Sequence, residues 1–80
     1  MKKDLHGYEL WEALDEITLV LEECKLKGDS QLELVHGFRQ GQVLKNYIQS
    51  EGFIKEMARE GYKLTRKQNS NPGVSIFEIN

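Results

Sequence analysis

The amino-acid sequence predicts a single α/β domain, residues 1–80, with elements in the order β-α-β-α-(α)-β-β and a mixed four-stranded sheet. Three observations predict it. A long amphipathic helix separates two short β-competent runs. Each run ends on a His-Gly pair. A turn-rich cluster, Gln68-Asn69-Ser70-Asn71-Pro72-Gly73, joins two more extended runs at the end of the chain. Strand-helix-strand order implies a parallel pair joined by a right-handed crossover. The closing hairpin must then add an antiparallel partner.

The first run, Lys3-Asp4-Leu5-His6, is a short strand broken by Gly7. Tyr8-Glu9 leads into the first helix. There Leu10, Ala13, Leu14, Ile17, Val20, Leu21 and Cys24 recur at steps of three and four, one helical face. Acidic residues crowd its first half and Lys25 and Lys27 its last turn, as the helix dipole favours; Gly28 can stop it in the left-handed conformation. The segment 31–36 alternates and reads as a strand with Leu32 and Leu34 on one face. After a glycine-bracketed loop, Val43, Leu44, Tyr47 and Ile48 mark a helix over 41–50. Gly52 is expected to interrupt it before a short stripe of Phe53, Ile54, Met57 and Ala58, closed by Gly61. The segments 62–67 and 74–79 are the hairpin strands.

Eighty residues with 39% hydrophobic and 30% charged side chains describe an ordinary globular chain with a thin core. No apolar run approaches a membrane span, and no apolar stretch follows Met1-Lys2-Lys3, so neither a membrane segment nor a signal peptide is expected. The lone cysteine, Cys24, lies on the buried stripe and points to a reduced, cytoplasmic setting; no Cys/His set has zinc spacing. Residues 1–35 carry 4 basic and 9 acidic side chains, net −5, and residues 36–80 carry 7 and 4, net +3. The basic half is available to a polyanion, although composition alone favours the plainer reading of a solvated acidic helix.

The chemistry concentrates at the two His-Gly pairs. Parallel strands one and two end at the same sheet edge, where ligands of open α/β sheets collect. As neighbours about 4.8 Å apart, they would let His6 and His36 reach one bound group. Gly37 and Gly41 allow close backbone approach, the helix start after Gly41 offers unpaired N–H groups, and Arg39 and Lys45 add cations, together a phosphate-binding edge. Imidazoles titrate near neutral pH and suit acid–base cleavage of a phosphodiester; Asp4, two residues before His6, could orient that ring. Singly, each feature is more often structural: a strand-end histidine caps a turn, and a two-glycine loop is a weak phosphate signal. Trp11 stands off the apolar stripe and is expected at the core margin, half-buried. Leu19 and Leu26 point away from the stripe and could mark a partner surface.

In sequence order, Asp4-Leu5-His6-Gly7, Glu12-Ala13-Leu14, Leu34-Val35-His36-Gly37-x-x-x-Gly41-x-x-Leu44-Lys45 and Gly73-Val74-Ser75-Ile76-Phe77-Glu78-Ile79 resemble the small MutS-related (Smr) domain over nearly the whole chain, most weakly at residues 53–70. The resemblance implies a two-layer α/β sandwich of order βαβαββ, similar to the C-terminal domain of bacterial translation initiation factor three. It implies nucleic-acid binding (DNA or RNA) and, as in several members, endonuclease activity. The family's Asp-x-His element falls on Asp4 and His6, and its glycine loop on His36, Gly37 and Gly41. The middle glycine of that loop is Arg39 here, which favours the loop as a binding element over a catalytic one. Lys3 replaces an apolar residue, Glu9 stands where a Ser or Thr would cap the first helix, and residues 53–61 look like an added helical turn.

The expected function is nucleic-acid binding with endonuclease activity. In the catalytic version Asp4, His6 and His36 act on the phosphodiester. Gly7, Gly37, Arg39, Gly41, Lys45, Lys63, Arg66 and Lys67 hold the nucleic acid. A divalent metal such as magnesium is compatible but not demanded by the spacing, and no metal ligands are assigned. The alternatives are a non-catalytic nucleic-acid module and a protein-interaction domain working through Trp11, Leu19 or Leu26. The expected state is a monomer.

Overall fold

The computed structural model describes residues 1–37 and 42–80. Strands β1 (Lys2–Asp4), β2 (Gln31–Val35), β3 (Leu64–Lys67) and β4 (Val74–Ile79) form one sheet in the order β1-β2-β4-β3. β1 and β2 are parallel, with Asp4 opposite Val35; β4 runs antiparallel to both β2 and β3. Helices α1 (Leu10–Lys27), α2 (Gln42–Ile48) and α3 (Glu51–Arg59) connect them. The expected element order is therefore observed.

Strand alternation decides what is buried. Leu32 and Leu34 of β2 are fully buried, as are Leu5 just beyond β1 and Phe77 of β4, which sits opposite Leu32. These meet Ala13, Ile17, Leu21 and Cys24 from the α1 stripe, Leu44 and Ile48 from α2, and Phe53 and Met57 from α3. Phe53 links the layers, edge-on to Tyr47 at 5.9 Å and tilted against Phe77 at 5.4 Å. The opposite face of the sheet carries the alternate row, including Lys2, Asp4, Glu33, Lys67 and Glu78, tied across strands by Lys2–Glu33 at 3.7 Å and Lys67–Glu78 at 3.1 Å.

Several boundaries differ from the sequence expectation, each for a local reason. β1 stops at Asp4 because the chain turns at once: the Tyr8 N–H donates to the Leu5 carbonyl at 3.1 Å, with Gly7 at φ 82 in the third position. A positive φ there is the glycine position of a type II turn. The break between α2 and α3 falls at Ser50, not Gly52. The Ser50 hydroxyl donates to the Tyr47 carbonyl at 2.6 Å and accepts from the Phe53 N–H at 3.3 Å, so it closes one helix and caps the next; Gly52 lies inside α3. β3 starts at Leu64 because the Tyr62 N–H is still tied to the Met57 carbonyl beyond the α3 end. Glu9 works as a helix start without Ser or Thr. Its backbone N–H donates to the Glu12 carboxylate at 2.9 Å, one half of a capping box. Gly28 ends α1 at φ 71 as expected.

Candidate functional site

The carboxyl ends of β1 and β2 and the β3–β4 turn share one edge of the sheet, since β3 also runs parallel to β1 and β2. At the β1 end, Asp4 and His6 form a close pair. The imidazole Nδ1 lies 2.7 Å from Asp4 Oδ1, and the His6 backbone N–H donates to the same oxygen at 3.1 Å. These two bonds, the side-chain one foremost, hold the Asp4 carboxyl below its usual range. An ionised carboxylate only accepts, so Nδ1 carries the proton that faces Asp4. The His6 side chain is 74% exposed, and its Nε2 has no hydrogen-bond partner among the described residues. Gly7 follows directly in the turn, and Trp11, in the first turn of α1, is 67% exposed rather than half-buried as expected. It misses burial because the core stripe of α1 runs through Ala13, Ile17 and Leu21 and leaves position 11 to one side.

At the β2 end the arrangement is the reverse. His36 continues the row of Leu32 and Leu34 and is 1% exposed. Its Nδ1 is 2.8 Å from the Gly37 carbonyl and its Nε2 is 2.9 Å from the Ser75 hydroxyl. A carbonyl only accepts, so Nδ1 donates; Ser75 then donates to Nε2 and accepts from the Gln49 amide at 3.4 Å. Burial holds the His36 imidazole below its ordinary value, against the opposing pull of the Gly37 carbonyl, and the Lys45 charge adds to the depression. Both ring nitrogens are engaged, and burial disfavours the charged ring. His36 therefore does not share a bound group with His6, as the sequence reading expected. Leu32, Leu34 and His36 lie on the helix-covered side, whereas Asp4 lies on the other. The backbone at this end is pinned as well: the His36 and Gly37 N–H groups both donate to the Gly73 carbonyl, at 3.0 and 3.1 Å. Gly37 has φ 91, a left-handed conformation that suits glycine, and the Gly73 backbone packs directly against it.

The expected cations divide. Lys45, in α2, lies close enough to His36 to influence its titration. Arg66 and Lys67 end β3 at the shared edge; Arg66 turns to the helix side and reaches the Ser50 carbonyl at 3.5 Å, while Lys67 pairs with Glu78 on the open face. Lys63 precedes β3, so it sits at the opposite edge of the sheet, where its carbonyl accepts from Asn80, and does not join this group. Arg39 and Gly41 lie outside the described residues. Cys24 is buried, and burial raises its thiol pKa, which suits a core residue rather than a nucleophile. Leu19 and Leu26 are exposed as expected. Among the described residues no cluster of three or more His, Cys, Asp or Glu gathers as a metal site, and no helix is long and apolar enough to cross a membrane. Ser75, Gln49 and Asn69 are the site residues that sequence reasoning missed. Ser75 lies within the Gly73–Ile79 stretch and Asn69 within the turn cluster, but only the register that sets Ser75 opposite Leu34 brings it to His36.

The class defined by this fold and edge is an α/β domain whose parallel β1–β2 pair ends in two His-Gly turns. The chain belongs to the Smr domain family, whose model matches residues 3–79. It is 31% identical over 77 residues to endonuclease MutS2 of Acetivibrio thermocellus, covering 95% of this chain and 9% of that protein. The chain thus spans a small fraction of that relative's length. It is also similar to the crystal structure of the Smr domain of Thermus thermophilus MutS2, with a TM-score of 0.75 and 27% identity over 99% of this chain and 96% of that one.

Proposed function

We propose that this domain binds nucleic acid at the shared sheet edge and cleaves its phosphodiester backbone, with Asp4 and His6 as the proton-transfer pair. The observation that carries the reading is the exposed His6 ring, locked by Asp4 with Nε2 facing solvent. As a neutral ring, His6 takes a proton on Nε2 from an attacking water or ribose hydroxyl, and the adjacent carboxylate stabilises the imidazolium formed. His36 holds the Gly37 turn in place rather than touching the reacting atoms. Lys45, Arg66 and Lys67 supply positive potential along the edge, and Arg39 and Gly41 complete the loop that contacts phosphate. Support from outside the geometry is the family membership and a relative named as an endonuclease.

The test is incubation of the purified domain with supercoiled DNA and with structured RNA, with and without magnesium, beside His6→Ala. Cleavage that disappears in the variant supports the enzyme. A second reading, a non-catalytic binding module, is favoured by Arg39 in place of a loop glycine. It calls for salt-sensitive binding without cleavage. Absence of both would leave a protein-interaction domain using Trp11, Leu19 and Leu26, which are exposed.

A further inference from the structure

Away from the Asp4–His6 pair, a cleft opens between the end of α2 and the β3–β4 turn. Its volume is about 380 Å³, within the range of small-ligand sites, and its walls include Gln49, Arg66, Gln68, Asn69, Pro72 and Ser75. The lining holds cations and neutral amides and no carboxylate.

The hydrogen-bond directions fix what the cleft presents. The chain that starts at the Gly37 carbonyl makes His36 Nδ1 a donor and Ser75 a donor to Nε2, so the Gln49 amide must turn its nitrogen to Ser75. Its carbonyl oxygen is left as an acceptor. The rim is held by Asn69, which donates to the Val74 carbonyl at 3.3 Å and accepts from the Asn71 N–H at 2.9 Å. Arg66 spends one N–H on Ser50 at 3.5 Å, a long bond that leaves most of its donor fork unused among the described residues. Gln68 makes no hydrogen bond among the described residues, so both ends of its amide are available.

We propose that this cleft reads one unpaired nucleotide of a single-stranded nucleic acid, with the phosphate on Arg66 and the base edge against Gln49 and Gln68. A bare phosphate would need only the cations. Primary amides offer a donor and an acceptor side by side, which is the pattern a base presents on its pairing edge once it is unstacked and unpaired. In a duplex that edge is occupied, so the cleft selects single strands. Pro72 supplies apolar surface for the base plane. The Gln49–Ser75–His36 chain ties this subsite to the Gly37 turn, so that the strand is gripped at two places along one edge. The proposal rests on the nucleic-acid reading of the same edge.

The test measures binding of single-stranded RNA and DNA oligonucleotides of one sequence, and of the corresponding DNA duplex, to the whole domain. It compares the wild type with the double variant Gln49→Ala, Gln68→Ala and with Arg66→Ala. Both glutamines are exposed, so the double variant is expected to fold, and its melting curve checks this. The expected result is a loss of about tenfold in affinity for both single strands, with duplex binding and the salt slope unchanged. Arg66→Ala is expected to reduce the salt slope by about one. A double variant that binds single strands like the wild type overturns the subsite and leaves the nucleic-acid reading standing. A wild type that binds none of the probes overturns both.

Discussion

At the end of β1, His6 exposes 74% of its side chain and offers one free ring nitrogen; at the end of β2, His36 is 1% exposed and has both ring nitrogens bonded. Both histidines precede a glycine with positive φ, and both follow strands that lie side by side. What separates them is which side of its strand each continues. His6 continues the open-face row of Lys2 and Asp4, on an edge strand. His36 continues the buried row of Leu32 and Leu34, on a strand flanked by β1 and β4. Two copies of a short motif can thus differ in role: one side chain is presented to solvent, and the other fixes the backbone beside it.

The comparison breaks most visibly at His6. Replacement by alanine is expected to reduce cleavage of a phosphodiester substrate by about 10²–10⁴-fold, the usual contribution of a positioned acid–base group. The melting temperature is expected to change little, because the ring is mostly exposed and its one partner, Asp4, is exposed as well. At His36 the pattern inverts. His36→Ala is expected to cost about 2–3 kcal/mol in urea unfolding, since it opens a cavity and strands the Ser75 hydroxyl and the Gly37 carbonyl. Residual cleavage per folded molecule should exceed that of the His6 variant. Ser75→Ala keeps the ring but strips its Nε2 of a donor, and about 1–2 kcal/mol of stability should go with it. Gly7→Ala meets no neighbour within 4 Å yet forces a methyl-bearing residue to φ 82, at an expected cost of about 1 kcal/mol by thermal melting.

The mildest effect is on pH dependence. Burial lowers the folded-state pKa of His36 below its ordinary 6.5, so below that pH the unfolded chain binds a proton that the folded one resists. Stability is therefore fully present above about pH 6.5 and declines as pH falls toward the lowered value, with a slope of at most about 1.4 kcal/mol per pH unit for one proton. Chemical denaturation between pH 7 and 5 measures it, and His36→Gln should flatten that part of the curve.

Much of this was readable from the residues. The α1 stripe, the β2 alternation and the turn cluster specify the element order, because period 3.6 and period 2 are local properties. The pairing of Asp4 with His6 was readable too, from a spacing of two on an extended chain. The burial of His36 follows from the same alternation that places Leu32 and Leu34, although the His-Gly motif points the other way. Other features depend on register. Ser75 reaches His36 only because β4 pairs antiparallel to β2 with Ser75 opposite Leu34. Lys63 and Lys67 are four residues apart in sequence and lie at opposite edges because a strand runs between them. The Gln49–Gln68 cleft joins a helix end to a turn that no sequence period relates.

The most direct measurement is NMR of the two imidazole rings, with long-range proton–nitrogen correlations recorded from pH 7.5 to 5 and again with a single-stranded oligonucleotide added. The expected result is a His36 ring that keeps the Nδ1–H tautomer, titrates below its ordinary value and is unchanged by ligand, while the His6 ring signals move on binding. A His36 ring that titrates at its ordinary value and shifts with the oligonucleotide, beside an unresponsive His6, would contradict the division of labour between the two strand ends.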